Sequence, residues 1–252
     1  MSKKTIAGII IVCIVVIVVV VVATRPATGT FADANLEVAV REAIEIPQGP
    51  LYPPDLETLT SLCATGYGRK MISDLSGLEH CINLTELVLN QHEISDISSL
   101  ASLTNLTRLS LYRNQISDIS PIANLTSLRT LMLMDNQISD ISPLGNLTDL
   151  TVLFLSDNEI GDLSPLSTLT GLTELFLWDN QISDISPLAN LTSLEWLYLY
   201  DNQISDVSPL VDNTDLGEGD TVHLANNPLS EESVNVYIPE LEARGVTVYY
   251  QD

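Results

Sequence analysis

A leucine recurs at a fixed interval of 22 residues, at Leu84, Leu106, Leu128, Leu150, Leu172, Leu194 and Leu216. Self-similarity at such a period constrains a fold more than composition does. Between these leucines the chain repeats one phrase, written most cleanly as LTELFLWDNQISDISPLANLT in Leu172–Thr192. Counting from the leading Leu, position 4 is Leu87, Leu109, Leu131, Leu153, Leu175 and Leu197. Position 6 is Leu89, Leu111, Leu133, Leu155, Leu177 and Leu199, and position 11 is always Ile. Alternation at 4 and 6 is the period of a strand. Apolar residues at 11, 14, 17 and 20 recur every third residue, as in a tight 3₁₀-like return. Each unit is therefore a short strand, a bend and a loose helical return. One unit cannot bury its apolar side alone, but stacked copies share a continuous core. Each buried Leu or Ile contributes about 1.5–3 kcal/mol of transfer free energy, which must offset chain entropy.

Position 9 holds Asn114, Asn136, Asn158, Asn180 and Asn202, with His92 in the first repeat. The backbone turns inward there, and buried N–H and C=O groups need partners. An amide both donates and accepts, so stacked Asn side chains can satisfy neighbouring bends. The pattern L-x-x-L-x-L-x-x-N-x-I-x-D-x-S-P-L-x-x-L-T resembles the 22-residue leucine-rich repeats of bacterial internalin-like surface proteins. The resemblance spans residues 84–216 in six near-perfect copies. It implies an α/β solenoid: a right-handed leucine-rich-repeat superhelix with a parallel concave sheet and short 3₁₀-type turns on the convex side, capped at both ends. It also implies a binding scaffold, with adhesion as the expected role and no ligand named, since fold does not fix function.

Residues 1–24 are of a different material. Lys3 and Lys4 precede an uncharged run from Ile6 to Ala23, dominated by Val and Ile. Those 18 residues would make a helix about 27 Å long, close to a bilayer's hydrocarbon thickness. An uncleaved N-terminal anchor and a cleaved signal peptide both fit, the long Val run favouring the anchor and Val21 and Ala23 permitting cleavage. The early lysines place the N-terminus inside. Residues 25–252 are then expected outside the cytoplasm, either attached through residues 6–23, in the absence of a C-terminal wall-sorting signal, or secreted if residues 1–23 are cleaved. Residues 25–30 form a linker, residues 31–83 an N-terminal cap with a degenerate repeat, residues 84–215 the six repeats, and residues 216–252 a C-terminal cap.

Within the N-terminal cap, a helix is expected over Phe31–Ile46, capped by Asp33 and stopped by Pro47, Gly49 and Pro50. A second helical turn starts at Pro53 and Pro54. In the C-terminal cap, Val222 and Leu224 make a strand. Asn227 takes the Asn position after a short insertion, and Ser230–Arg244 makes a helix that Pro239 kinks or interrupts. Cys63 and Cys81 are expected on different walls of the coil, which favours separate thiols over a bridge.

Leu at 4 and 6 point inward, so positions 3, 5 and 7 face the concave surface. Seven of the thirteen aromatic residues lie there: Tyr112, Phe154, Phe176, Trp178, Trp196, Tyr198 and Tyr200, with Met132 and Met134 beside them. None is needed by the core. Exposed large apolar groups mark interaction sites, and Trp and Tyr are favoured hot spots, although aromatics also favour strands in their own right. These nine residues are the candidate ligand surface. Position 8 adds an acidic edge, Asp135, Asp157, Asp179 and Asp201, suited to a cationic protein partner. One carboxylate per repeat is a poor Ca²⁺ cage, and no Ca²⁺-loop sequence is present. A second Asp column at position 13 (Asp74 to Asp206) reads as turn chemistry. The N-L-T sequons follow from the repeat consensus.

The formal net charge is -23, which excludes non-specific nucleic-acid binding. No metal-ligand spacing, phosphate loop or nucleophile elbow is present, and His80, His92 and His223 are isolated in sequence. Neither catalytic residues, a metal nor a cofactor is expected. The function expected is non-catalytic, extracytoplasmic protein recognition. Two alternatives stand: glycan binding, because rings also stack on sugars, and a regulatory subunit for a phosphatase-like partner.

Overall fold

The computed structural model describes residues 31–66 and 71–251. The apolar run at residues 6–23 lies outside them, and among the described residues no helix is long and apolar enough to cross a membrane. Nine strands form one sheet in strict sequence order: β1 (Ser61–Thr65), β2 (Glu86–Asn90), β3 (Arg108–Ser110), β4 (Thr130–Met132), β5 (Val152–Phe154), β6 (Glu174–Phe176), β7 (Trp196–Tyr198), β8 (Thr221–His223) and β9 (Thr247–Tyr249). All neighbours are parallel and in register, so position 4 pairs with position 4 from Leu87 through Leu197 to Val222. The leucines at 4 and 6 are fully buried, as are the apolar residues at 11, 14, 17 and 20. The leucine-rich-repeat solenoid is thus the observed fold, with Ser142–Asn146, Ser164–Thr168 and Ser186–Asn190 as 3₁₀ returns led by Ser-Pro.

The Asn column is one hydrogen-bonded ladder. Asn158 Oδ1 accepts the Ile138 N–H of the preceding coil at 3.0 Å. Its Nδ2 donates to Leu133 O and Leu155 O, both at 3.0 Å, and to Ser156 O at 3.1 Å. The same four partners recur at Asn136, Asn180 and Asn202, and Asn227 continues the column across a larger sequence step. His92 serves the first repeat by imitation. Its Nδ1 accepts the Ile72 N–H at 3.2 Å, and its Nε2 lies 3.3 Å from Ala64 O, which assigns the proton to Nε2.

That role requires a neutral ring. Burial pushes the His92 pKa below its ordinary 6.5, against the Ala64 bond and Asp33, which both raise it. A depressed folded pKa means the unfolded chain takes up the proton first, so stability falls as pH drops below about 6.5. Replacing His92 by Asn, the residue of the later repeats, is expected to keep the ladder and flatten this acid loss. Urea midpoints at pH 7.5 and 5.5 for both proteins measure it. An equal loss in the variant would remove His92 as its source.

The position-13 aspartates are turn residues. Asp74, Asp96, Asp118, Asp140, Asp162, Asp184 and Asp206 each accept the N–H two residues ahead at 2.8 Å. The backbone bond to Ser120 holds the Asp118 carboxyl below its usual range.

The caps depart from expectation in detail. Helix α1 spans Ala34–Ala43, shorter than Phe31–Ile46. Asp33 does cap it, accepting Asn35 N at 2.8 Å and Leu36 N at 3.1 Å. The stop precedes Pro47: Glu45 adopts φ 59 and the Ile46 N–H returns to Arg41 O at 3.1 Å. This is a left-handed helix terminus built without glycine. Leu36 and Val40 seal the core beside β1, while Ala43 is exposed. A short helix α2 (Pro53–Leu56) follows. At the other end, after α3 (Ser208–Asp212), the helical stretch is interrupted as Pro239 implied, but by a wider turn ahead of the proline. A π turn at Ser233–Tyr237 precedes α4 (Ile238–Ala243). Pro239 has no N–H for an α bond and its ring crowds the carbonyl four residues back, so the wider turn accommodates it. Cys63 lies exposed on β1 and Cys81 is buried at position 20, both as free thiols. Burial, then Glu79, pushes the Cys81 thiol up to about 12.

Candidate functional site

The parallel register stacks every concave column directly, and the aromatic residues become a ladder. At position 5, Phe154 stacks on Phe176 with centroids 4.2 Å apart and planes 3° from parallel. Phe176 stacks on Tyr198 at 4.9 Å and 20°. The column then continues into the C-terminal cap: Tyr198 on His223 at 5.7 Å, and His223 on Tyr249 at 5.4 Å. At position 7, Trp178 and Tyr200 stack at 5.3 Å and 5°, and Trp178 meets Phe176 edge-on. From Phe154 to His223 these side chains are half-buried against one another, whereas Tyr249 at the end of the stack and Trp196 at position 3 are 52% and 42% exposed.

His223 and Tyr249 are missing from the candidates drawn from sequence. The signal was present: if Val222 and Leu224 occupy positions 4 and 6, His223 falls at position 5, in the Phe154–Tyr198 column. Burial lowers the His223 pKa, against an opposing effect of Asp201, so the ring is neutral in the stack. Its Nδ1 and the Ser156 Oγ are buried without a hydrogen-bond partner.

The remaining candidates lie toward the N-terminal end. Arg108 pairs with Glu86 at 3.3 Å and contacts Met132 Sδ at 3.9 Å. The Tyr112 hydroxyl accepts from Gln91 at 3.1 Å. Met134, on the same column as Tyr112 and Ser156, is half-buried. This end of the concave face is thus tied up by its own polar contacts.

Position 8 has a backbone identity. Gln91, Arg113, Asp135, Asp157, Asp179 and Asp201 all have φ between 51 and 62. Asp tolerates this left-handed region better than most residues, so the turn itself selects the carboxylates. They are unequal, however. Asp135 is paired with Arg113 at 3.0 Å. Among the described residues no Lys or Arg lies within ion-pair distance of Asp157, Asp179 or Asp201, and Arg244 is the sole Lys or Arg of residues 130–252. Burial, then Asp157 and Asp201, raises the Asp179 pKa. Burial followed by the same three carboxylates raises that of Tyr200. Among the described residues no three His, Cys, Asp or Glu side chains converge closely enough to hold a metal ion. A cleft of about 520 Å³ between α1 and β1, lined by Val38, Cys63, Thr65 and His92, lies at the opposite end from the ladder.

The leucine-rich-repeat family, in its two-copy form, matches at residues 104–146, 126–168, 148–190 and 170–212. Internalin C2 of Listeria monocytogenes is 34% identical, with a TM-score of 0.76, over 88% of this chain and 94% of its own. The chain belongs to the internalin-like leucine-rich-repeat proteins. Internalin inlF of the same organism is also 34% identical (TM-score 0.69), over 88% of this internalin-like chain and 69% of its own. A leucine-rich-repeat protein of Leptospira interrogans is 27% identical (TM-score 0.68), over 79% and 50%. No curated protein matches. The resemblance carried by the 22-residue pattern is confirmed by these relatives.

Proposed function

We propose that this internalin-like chain is a non-catalytic protein-recognition scaffold held outside the cytoplasm through residues 6–23, with its ligand on the concave aromatic ladder. The observation that carries the reading is the unbroken stack of rings from Phe154 to Tyr249 on the face the core does not use. Pre-stacked rings lose little side-chain freedom on binding, which lowers the cost of association. Unpaired carboxylates along one edge steer a cationic partner. Ring orientation favours protein over glycan. Sugars stack on open ring faces, but here the faces of Phe176 and Tyr198 cover one another and edges point outward.

Capture from cell surfaces tests this. The Phe176→Ala/Trp178→Ala/Tyr198→Ala variant should lose capture by about a hundredfold or more, each hot-spot truncation costing about 2 kcal/mol or more. Its melting profile should still show one cooperative transition, since none of the three side chains belongs to the buried core. Capture undiminished in a folded variant would remove the concave face as the site.

A further inference from the structure

We propose that the partner presents an amphipathic α-helix, laid along the ladder and across the strands, with a basic stripe against Asp157, Asp179 and Asp201. This rests on the concave face being the ligand surface and adds the partner's secondary structure and charge pattern.

The first ground is periodicity. Successive rings of the position-5 column are 4.2, 4.9, 5.7 and 5.4 Å apart, and the Trp178–Tyr200 step is 5.3 Å. A helix lying along this column repeats its own contacts every turn, about 5.4 Å. An extended segment repeats its same-face side chains about every 6.6–6.8 Å and drifts out of step within two rings. The carboxylate column has the strand spacing of about 4.8 Å, which side chains at i, i+4 and i+7 of a helix, about 5–6 Å apart, can follow.

Width and length agree. Positions 3 to 7 span about 13–14 Å at 3.4 Å per residue, and a helix with side chains is about 10–12 Å across. The four ring steps are matched in length by about 14 helical residues. Trp196 at position 3 then stands on one flank and the position-8 carboxylates on the other.

Charge supplies the third ground. Arg113 already occupies Asp135, so the open carboxylates begin at Asp157, beside the ring column that begins at Phe154. The rings alone continue through His223 and Tyr249, but over β5 to β7 the apolar and acidic stripes run side by side. That is the complement of a helix whose apolar and basic faces adjoin.

The experiment uses the chain's only two tryptophans, Trp178 and Trp196, which both lie on this face and report its occupancy by fluorescence. The full chain in zwitterionic lipid nanodiscs, with empty discs as control, is titrated with peptides of about 16 residues. One is lactam-locked as a helix, with Leu along one stripe and Lys along the next. An isomer of the same composition alternates Leu and Lys as a strand. A third replaces Lys by Glu. The helical Lys peptide is expected to shift the tryptophan emission and to bind about tenfold or more tighter than the other two. Asp157→Asn/Asp179→Asn/Asp201→Asn should abolish that advantage without disturbing the turns, because Asn also tolerates positive φ. Equal or tighter binding by the strand isomer, or no binding by the helix, overturns the proposal. If a captured protein still needs Phe176, Trp178 and Tyr198 but the helical peptide does not compete, the helix is wrong and the ligand surface stands. If capture ignores those residues, the underlying reading fails.

Discussion

Replacing Asn158 by Ala is expected to destabilise the solenoid by about 3 kcal/mol or more. The side chain satisfies one N–H and three carbonyls drawn from two adjacent coils. Alanine fills none of these roles, and each group left buried without a partner costs about 1–3 kcal/mol. Partial exposure of Asn158 lets water reach some of them, which keeps the sum toward the lower end. Asp at the same position should be worse than Ala. It retains the acceptor for Ile138 N but sets a negative charge against three carbonyl oxygens. Urea unfolding measures both, with a lowered midpoint at unchanged slope as the signature of lost stability. A shift equivalent to less than about 1 kcal/mol for Asn158→Ala would mean the ladder is not a principal support of the coil.

Leu175→Ala should cost about 2–5 kcal/mol. Leu175 is fully buried in β6, paired in register with Leu153 and Leu197. Parallel strands on both sides hold the backbone in place, so the cavity cannot close by local collapse. Its neighbour Glu174 points to the concave surface and is half-exposed, so Glu174→Ala should change stability by less than about 0.5 kcal/mol. The contrast between adjacent residues isolates inward from outward direction. Comparable losses at both sites would contradict the assigned register.

The fold was legible because 22-residue periodicity repeats its own confirmation: a column of Leu or Asn appears only if each coil places it alike. The Asn ladder and the position-13 turns could be argued from side-chain chemistry alone. Irregular segments were less legible, because they occur once. Glu45 in a left-handed conformation is not a residue type that announces a helix stop, and α1 ends there ahead of the prolines. Pro239 signals a disturbance, but whether a kink or a π turn follows depends on how the preceding turn packs. At position 8, recurrent Asp looked like surface charge. The positive φ shared with Gln91 and Arg113 shows that the backbone selects the site first. His223 and Tyr249 escaped notice because the C-terminal cap breaks the 22-residue count, although strand pairing restores the register. Ring orientation is set by mutual packing of neighbouring coils, which a column of letters does not contain.

The measurement closest to the central claim is acrylamide quenching of Trp178 and Trp196 with and without a protein captured from the cell surface. Trp196 is substantially exposed in the free chain and should be strongly quenched there. If the ligand sits on the concave ladder, its binding should shield both tryptophans, shift their emission to shorter wavelength, and lose this effect in the Phe176→Ala/Tyr198→Ala variant. A partner that saturates the protein while quenching and emission stay unchanged would place its site elsewhere and contradict the account.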